Sequence, residues 1–288
     1  MKAVRDFLEL IKFEHTIFAL PFAYLGMLLA VGGLPGWRIF LWITIAMASA
    51  RTLAMGVNRL ADRWIDARNP RTADRPLVTG RISLRTAWAG TATAGLVLTA
   101  AAWQLGPVTL RLLPIALIAL IGYSFTKRFT WFTHFILGFT DGLAPVGAWV
   151  AVRGSLTSTA DLPAWILLAV VTFWIAGFDL IYACQDVEID RQQNLHAIPA
   201  RFGIRAALYL SRICHVVTLG LLVFLGIVTD LQWPYWIGLV VVFGLLVWEH
   251  SLVHPDDLSN INLAFFNINS YISLTLFASI FAALYLPG

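Results

Sequence analysis

Two short stretches place carboxylates at helical spacing: NRLADRWID, from Asn58 to Asp66, and YACQDVEID, from Tyr182 to Asp190. In the first, Asn58, Asp62 and Asp66 step by four, so their side chains fall on one stripe about 12 Å long at the rise of an α-helix. In the second, Asp179, Tyr182, Asp186 and Asp190 step by three, four and four and form a similar stripe. An oxygen-rich stripe is a surface for hard cations. Magnesium is usually held by one or two carboxylates together with substrate phosphates. One such motif alone reads equally well as a solvated helix end, with Arg59, Arg63 and Arg191 balancing the aspartates. Two of them, each where a long apolar stretch runs out and each followed by a basic loop, point to a paired magnesium site that clamps a diphosphate.

Other charged residues fit an anionic substrate. Lys127 and Arg128, in GYSFTKRFTW, can bind diphosphate oxygens, although two basic residues at a helix end also satisfy topology alone. In NPRTADRPLVTGR, the turn-rich segment with Asn69, Asp74 and Arg75 can close over the site, with Arg75 held extended before Pro76. Arg51 lies in an apolar run, about two helical turns below Asn58, where an arginine must pair or line a wet cavity. A substrate carboxylate or Asp141 would serve as its partner. Glu14, His15, His215, Glu249, His250 and His254 read as structural partners. Tyr182 is the aromatic residue placed to face a developing carbocation.

The elements that must carry these residues are membrane helices. Hydrophobic residues make up 59% of the chain and charged residues 12%, against about a quarter charged in soluble domains. A bilayer core about 30 Å thick needs roughly 20 apolar residues per helix. Nine runs qualify, near 15–33, 38–58, 84–105, 107–125, 131–152, 163–183, 206–229, 233–252 and 264–286, and the alternating short strands of a barrel are missing. The expected fold is an all-α membrane protein: one transmembrane domain over 1–288, a tandem four-helix repeat plus one helix around a central cavity.

Most basic residues fall at the amino terminus and in the even-numbered connections, whereas Arg38, Arg111 and Arg153 occupy the opposite side. The positive-inside rule then puts the amino terminus and both acidic motifs on the cytoplasmic side of the inner (plasma) membrane. The net charge of +4 sits where topology requires it, so nucleic-acid binding is not called for. The opening MKAVRDFLELIKFE places Val4, Phe7, Leu8 and Ile11 on one face, as in a helix lying in the interface, and no signal-peptide cleavage site follows. Cys184 and Cys214 have no metal-spaced neighbours and receive no role.

The chain resembles the UbiA superfamily of intramembrane prenyltransferases. NRLADRWID fits that family's N-x-x-x-D-x-x-x-D motif, QDVEIDRQQNLHAIPARFG its second aspartate motif and the stretch beyond it, and RTADRPLVTGRIS and TKRFTWFTHFILG its loops. The resemblance implies nine helices around a cavity and two magnesium ions on Asn58, Asp62, Asp66, Asp186 and Asp190. It further implies Lys127 and Arg128 as diphosphate contacts, and a prenyl tail in an apolar tunnel open to the bilayer. IKFEHTIFALPFA and LHAIPARFG look most like bacterial 4-hydroxybenzoate polyprenyltransferases and their relatives in menaquinone synthesis, whose acceptors are hydroxylated aromatic acids. Arg59 and Ile189 stand where some members carry an aspartate and a glycine, which weakens assignment of the acceptor by motif. Haem, chlorophyll and ether-lipid prenylation share the motifs. A cation-coupled transporter is the rival of another class, but its acids would sit near the midplane.

Overall fold

The computed structural model describes residues 2–12 and 16–286, so Glu14 and His15 lie outside the described residues. Thirteen α-helices follow one another in the described chain: α1 (Lys2–Leu10), α2 (Thr16–Val31), α3 (Trp37–Ala61), α4 (Arg63–Asp66), α5 (Leu84–Leu105), α6 (Pro107–Thr126), α7 (Thr133–Arg153), α8 (Leu162–Ala183), α9 (Val187–Gln192), α10 (Ile198–Phe202), α11 (Ile204–Val228), α12 (Trp233–Ser251) and α13 (Asn269–Tyr285). Short 3₁₀ turns at Thr159–Asp161 and Cys184–Asp186 lead into and out of α8, and a π-helical turn at Leu263–Ile268 leads into α13. Among the described residues the only strand-like feature is an isolated bridge between His254 and Asp257.

Seven helical stretches among the described residues are long and apolar enough to cross a membrane, so the protein is a multi-pass membrane protein. They are Trp37–Ala61, Pro107–Thr126, Thr133–Arg153, Thr159–Gln192, Ile204–Val228, Trp233–Ser251 and Leu263–Tyr285. Two of the nine expected runs correspond to helices outside this set. In α2 the qualifying apolar part, Leu20–Val31, is short, and α5 is diluted by threonine, alanine and glycine.

Each long helix packs on the next in the chain, and α13 closes on α2, which in turn meets α3. Helix α7 touches α2, α3, α5, α6 and α8. Glycine permits these approaches. A Cβ on Gly138 would overlap the backbone carbonyl of Thr172 on α8, one on Gly142 would crowd that of Leu168, and one on Gly26 would strike Pro145 of α7. Gly147, on the same helix, has no atom within 4 Å of the position a Cβ would take. Small residues replace the hydrophobic effect here, since lipid tails are as apolar as the helices.

Helix α1 covers one end of the bundle. Leu10 and Ile11 are buried, and Leu10 packs with Leu77, Ile82 and Ala87 of the following loop and α5. Leu8, expected on the apolar face of an interfacial helix, is exposed. Arg81 grips Glu9 through two hydrogen bonds of 2.9 and 2.7 Å, and these hold the Glu9 carboxyl below its ordinary pKa.

The α7–α8 contact yields a stability test. Gly138→Ala forces a methyl group onto the Thr172 carbonyl and is expected to destabilise the protein by about 1–3 kcal/mol. Gly147→Ala should be neutral or stabilising, because alanine is the better helix former. Thermal unfolding in detergent reads both.

Candidate active site

Neither carboxylate stripe lies on an unbroken helix. Helix α3 ends at Ala61, and Asp62 takes φ −93° and ψ 6° before α4 resumes with Arg63. Helix α8 gives way to the Cys184–Asp186 turn, and Asp186 takes φ −100° and ψ 5° before α9. The same aspartate of each motif therefore occupies the sparsely allowed bridge region of backbone space. The spacing correctly implies that Asn58 and Asp62 are neighbours, since Asn58 Nδ2 donates to Asp62 Oδ2 at 3.2 Å. The continuous stripe of the sequence reading is corrected to two helix breaks.

The aspartates are balanced by cations from other segments, not by the arginines of their own motifs. Asp62, 2% exposed, binds Lys127 Nζ at 2.6 Å and Arg128 Nη2 at 3.3 Å, while Arg128 also donates to the Ala61 carbonyl at 2.7 Å. Asp66 accepts from Arg75 at 2.5 Å. Asp186 takes two hydrogen bonds from Arg71, at 3.1 and 2.5 Å, and one from Asn69 at 2.9 Å. Burial disfavours the Arg71 cation, but its hydrogen bonds to Asp186 outweigh this and raise its pKa above the ordinary value. Asn69 and Arg71 follow the first motif and contact the second, so both motifs border one mouth. Asp190 lies within electrostatic reach of Asp186, Lys127, His134 and Arg71. The motif arginines are occupied elsewhere: Arg59 on the Leu10 carbonyl and Asn58, Arg63 over Trp64, Arg191 on the Ala200 carbonyl.

From this mouth a cavity of about 620 Å³ runs into the bundle. Asn58, Arg71, Arg75, Asp179 and Tyr182 border it, and Met55, Leu137, Trp174 and Phe178 continue its wall. Arg51 and Asp141 line it too. They feel each other's charge, yet no ion pair joins them among the described residues, and Arg51 Nε has no hydrogen-bond partner. An apolar pocket of about 330 Å³ shares Arg51, Met55, Tyr123, Leu137 and Asp141 with the cavity and reaches half-exposed Ile115 on the flank of α6.

Three features of the site escape sequence reading. Arg71 is one arginine among several in its loop. His134, inside the quoted TKRFTWFTHFILG, is buried between Asp179, 2.7 Å from Nδ1, and the Ile198 amide, which donates to Nε2 at 3.3 Å. That amide fixes the neutral tautomer, with the proton on Nδ1 and aimed at Asp179. Phe265 and Phe266, on the π-helical turn, line the cavity beside Tyr182, with 4.0 Å between the rings of Phe265 and Tyr182.

Among the described residues no three histidine, cysteine or acidic groups converge into a ready-made metal nest. The donors around the mouth are all oxygen. They fit a hard cation shared between single carboxylates and a phosphate ligand, and they do not make a closed structural site.

A bundle cavity lined by carboxylates and cations at its mouth and by aromatic and aliphatic groups within is the architecture of a membrane-embedded transferase. Residues 19–271 match the UbiA prenyltransferase family, and the chain belongs to that family. A Cupriavidus metallidurans protein named 4-hydroxybenzoate octaprenyltransferase is 31% identical over 258 residues, covering 89% of this chain and 85% of the relative. The apo structure of a UbiA homolog from Aeropyrum pernix K1 superposes with a TM-score of 0.85 at 32% identity, covering 93% of this chain and 97% of that one. A UbiA homolog from Archaeoglobus fulgidus, bound to GPP and Mg2+, shares the fold at a TM-score of 0.69 and 21% identity, over 96% of this chain and 99% of its own.

His134→Phe leaves the Asp179 carboxylate without its donor. A loss of about 1–3 kcal/mol of stability is expected, the scale for an orphaned buried polar group. His134→Asn, which can still donate, should recover part of it in the same unfolding assay.

Proposed function

We propose that the protein transfers a polyprenyl group from a prenyl diphosphate to a hydroxylated aromatic acid of the 4-hydroxybenzoate type, in quinone biosynthesis. The observation that carries this reading is the mouth itself: two aspartate pairs, each held by cations, at the entrance to an aromatic cavity with an apolar side pocket. The names of the Cupriavidus relative and the contents of the Archaeoglobus structure agree with it. In this reading residues 1–288 form one domain of nine transmembrane helices, α2 and α5 included, built as a tandem four-helix repeat plus one. It sits in the inner membrane with the amino terminus and active site cytoplasmic, a placement that the distribution of basic residues supports.

Asp62, Asp66, Asp186 and Asp190, with Asn58, would hold Mg2+. Bound there, the metal neutralises charge on the leaving diphosphate and so favours ionisation of the allylic C–O bond. Lys127, Arg128, Arg71 and Arg75 already face the carboxylates and would turn their donors to the phosphate oxygens. The bond breaks with its electron pair leaving on the diphosphate. Tyr182 faces the allylic cation, and the apolar wall keeps water from capturing it. The acceptor ring carbon attacks, a C–C bond forms and the ring proton passes to the released diphosphate. Asp179, oriented by His134, borders the place where the acceptor lies. Arg51, with an unpartnered Nε, binds the acceptor carboxylate. The side pocket takes the prenyl tail toward the bilayer.

A magnesium-dependent assay of purified protein with labelled prenyl diphosphate, against 4-hydroxybenzoate and dihydroxynaphthoates, tests the reading. Folded protein that consumes no prenyl diphosphate overturns it. Asp62→Asn and Asp186→Asn should each lower kcat by about a hundredfold or more, the scale for losing one charge-stabilising group. Arg51→Leu should raise the acceptor KM far more than the prenyl diphosphate KM. An unchanged acceptor KM removes that role.

A further inference from the structure

Beside the cavity lies a second polar cluster that the proposed chemistry does not use. Glu249 of α12 is 0% exposed, deep among apolar side chains. Its Oε1 accepts a hydrogen bond from Asn269 Nδ2 at 2.8 Å, and its Oε2 lies 3.6 Å from His215 Nδ1 of α11 with no hydrogen-bond partner. His215 Nε2 donates to the Trp174 carbonyl at 3.3 Å, so Nδ1 is free to accept from His250 Nε2 at 2.9 Å. Gly177 makes room, since a Cβ there would overlap the His215 ring. A cluster built for stability alone would leave no buried oxygen unpaired, and this one leaves Glu249 Oε2 and Asn269 Oδ1.

The output of the cluster is a backbone conformation. Asn269 Nδ2 also donates to the carbonyls of Ala264 and Phe265, at 3.1 and 3.2 Å, inside the π-helical turn. In that turn the ordinary helical ladder is interrupted and its carbonyls need other donors. The widened turn directs Phe265 and Phe266 to the cavity wall. Phe265 stacks on Tyr182 and meets Phe178 edge-on, with 5.2 Å between ring centroids. Tyr182 in turn accepts a 3.0 Å hydrogen bond from Arg71, which binds Asp186. The chain of contacts runs unbroken from Glu249 to the second aspartate motif.

We propose that Glu249 and Asn269 are positioning residues that hold the π-helical turn, and that Phe265 so placed forms, with Phe178 and Tyr182, the wall against which the acceptor ring packs. The proposal rests on the transfer to an aromatic acceptor argued above. Glu249 acts through Asn269 and touches no substrate. Phe265 is the residue that contacts the acceptor and sets how wide an aromatic ring is admitted.

The experiment measures both KM values and kcat for wild type, Glu249→Gln, Glu249→Leu, Asn269→Ala and Phe265→Leu, with thermal unfolding of each variant in detergent. Glu249→Leu and Asn269→Ala should raise the acceptor KM about tenfold, while the prenyl diphosphate KM stays within about twofold. Glu249→Gln keeps an oxygen for Asn269 and should restore the acceptor KM. Phe265→Leu, which leaves the polar cluster intact, should reproduce the acceptor defect by itself and widen the range of rings accepted. If Phe265→Leu leaves the acceptor KM unchanged, or if the cluster variants shift both KM values equally, the positioning role is wrong. That holds even if Glu249→Leu fails to fold, because Phe265→Leu decides the matter alone. Failure of the wild type to consume prenyl diphosphate would instead strike the functional reading.

Discussion

The aspartates of the two motifs lie at one mouth, and the site holds together because cations from two separate segments pair with Asp62, Asp66 and Asp186. Lys127 and Arg128 come from the end of α6, and Arg75 and Arg71 from the loop after α4. Each cation ties a loop to a helix end, so charge neutralisation and chain topology are solved by the same contacts. Removing Arg75 would leave the buried Asp66 carboxylate uncompensated, a larger penalty than the pair's net worth. The loop between α4 and α5 owes its path to this requirement. It crosses from the first motif to the second because Asp186 needs Arg71 and Asn69.

What could be read from the sequence follows from periodicity. Membrane helices announce themselves by hydropathy, and carboxylates spaced by four announce a shared face; both signals are local. The break at Asp62 and its counterpart at Asp186 carry no glycine or proline, so nothing in the letters marks them. The pairing of Arg71 with Asp186 spans more than a hundred residues, and an arginine among arginines gives no hint of its partner. His134 looked like one polar residue in an aromatic segment; its meaning lies in the Asp179 carboxylate and the Ile198 amide brought to it by α8 and α10. Glu249, His215 and His250 read as structural partners and their contacts place them together, while the π-helical turn that Glu249 meets through Asn269 has no sequence signature.

Hydropathy alone also treats helices unequally. Helix α5 packs along α3 with threonine, alanine and glycine, the residues that let backbones approach, and these lower its apolar score while strengthening its contact. A helix whose contact face is built of small residues can thus look less like a membrane span even though its other face is exposed. The same rule explains α7, where Gly138 and Gly142 admit the backbone of α8 while Pro145 meets Gly26 of α2.

The paired helix breaks have a mechanical meaning. In each motif the inner aspartate ends the long helix and the outer one rides on a separate short helix, α4 or α9. The rigid bundle therefore fixes only one carboxylate of each pair. The other rides on a short helix that follows the break, and for Asp66 the loop beyond supplies its partner, Arg75. Because Arg71 and Arg75 of the connecting loop both bind aspartates of the motifs and border the cavity, one loop sets the shape of the mouth and of the chamber behind it together.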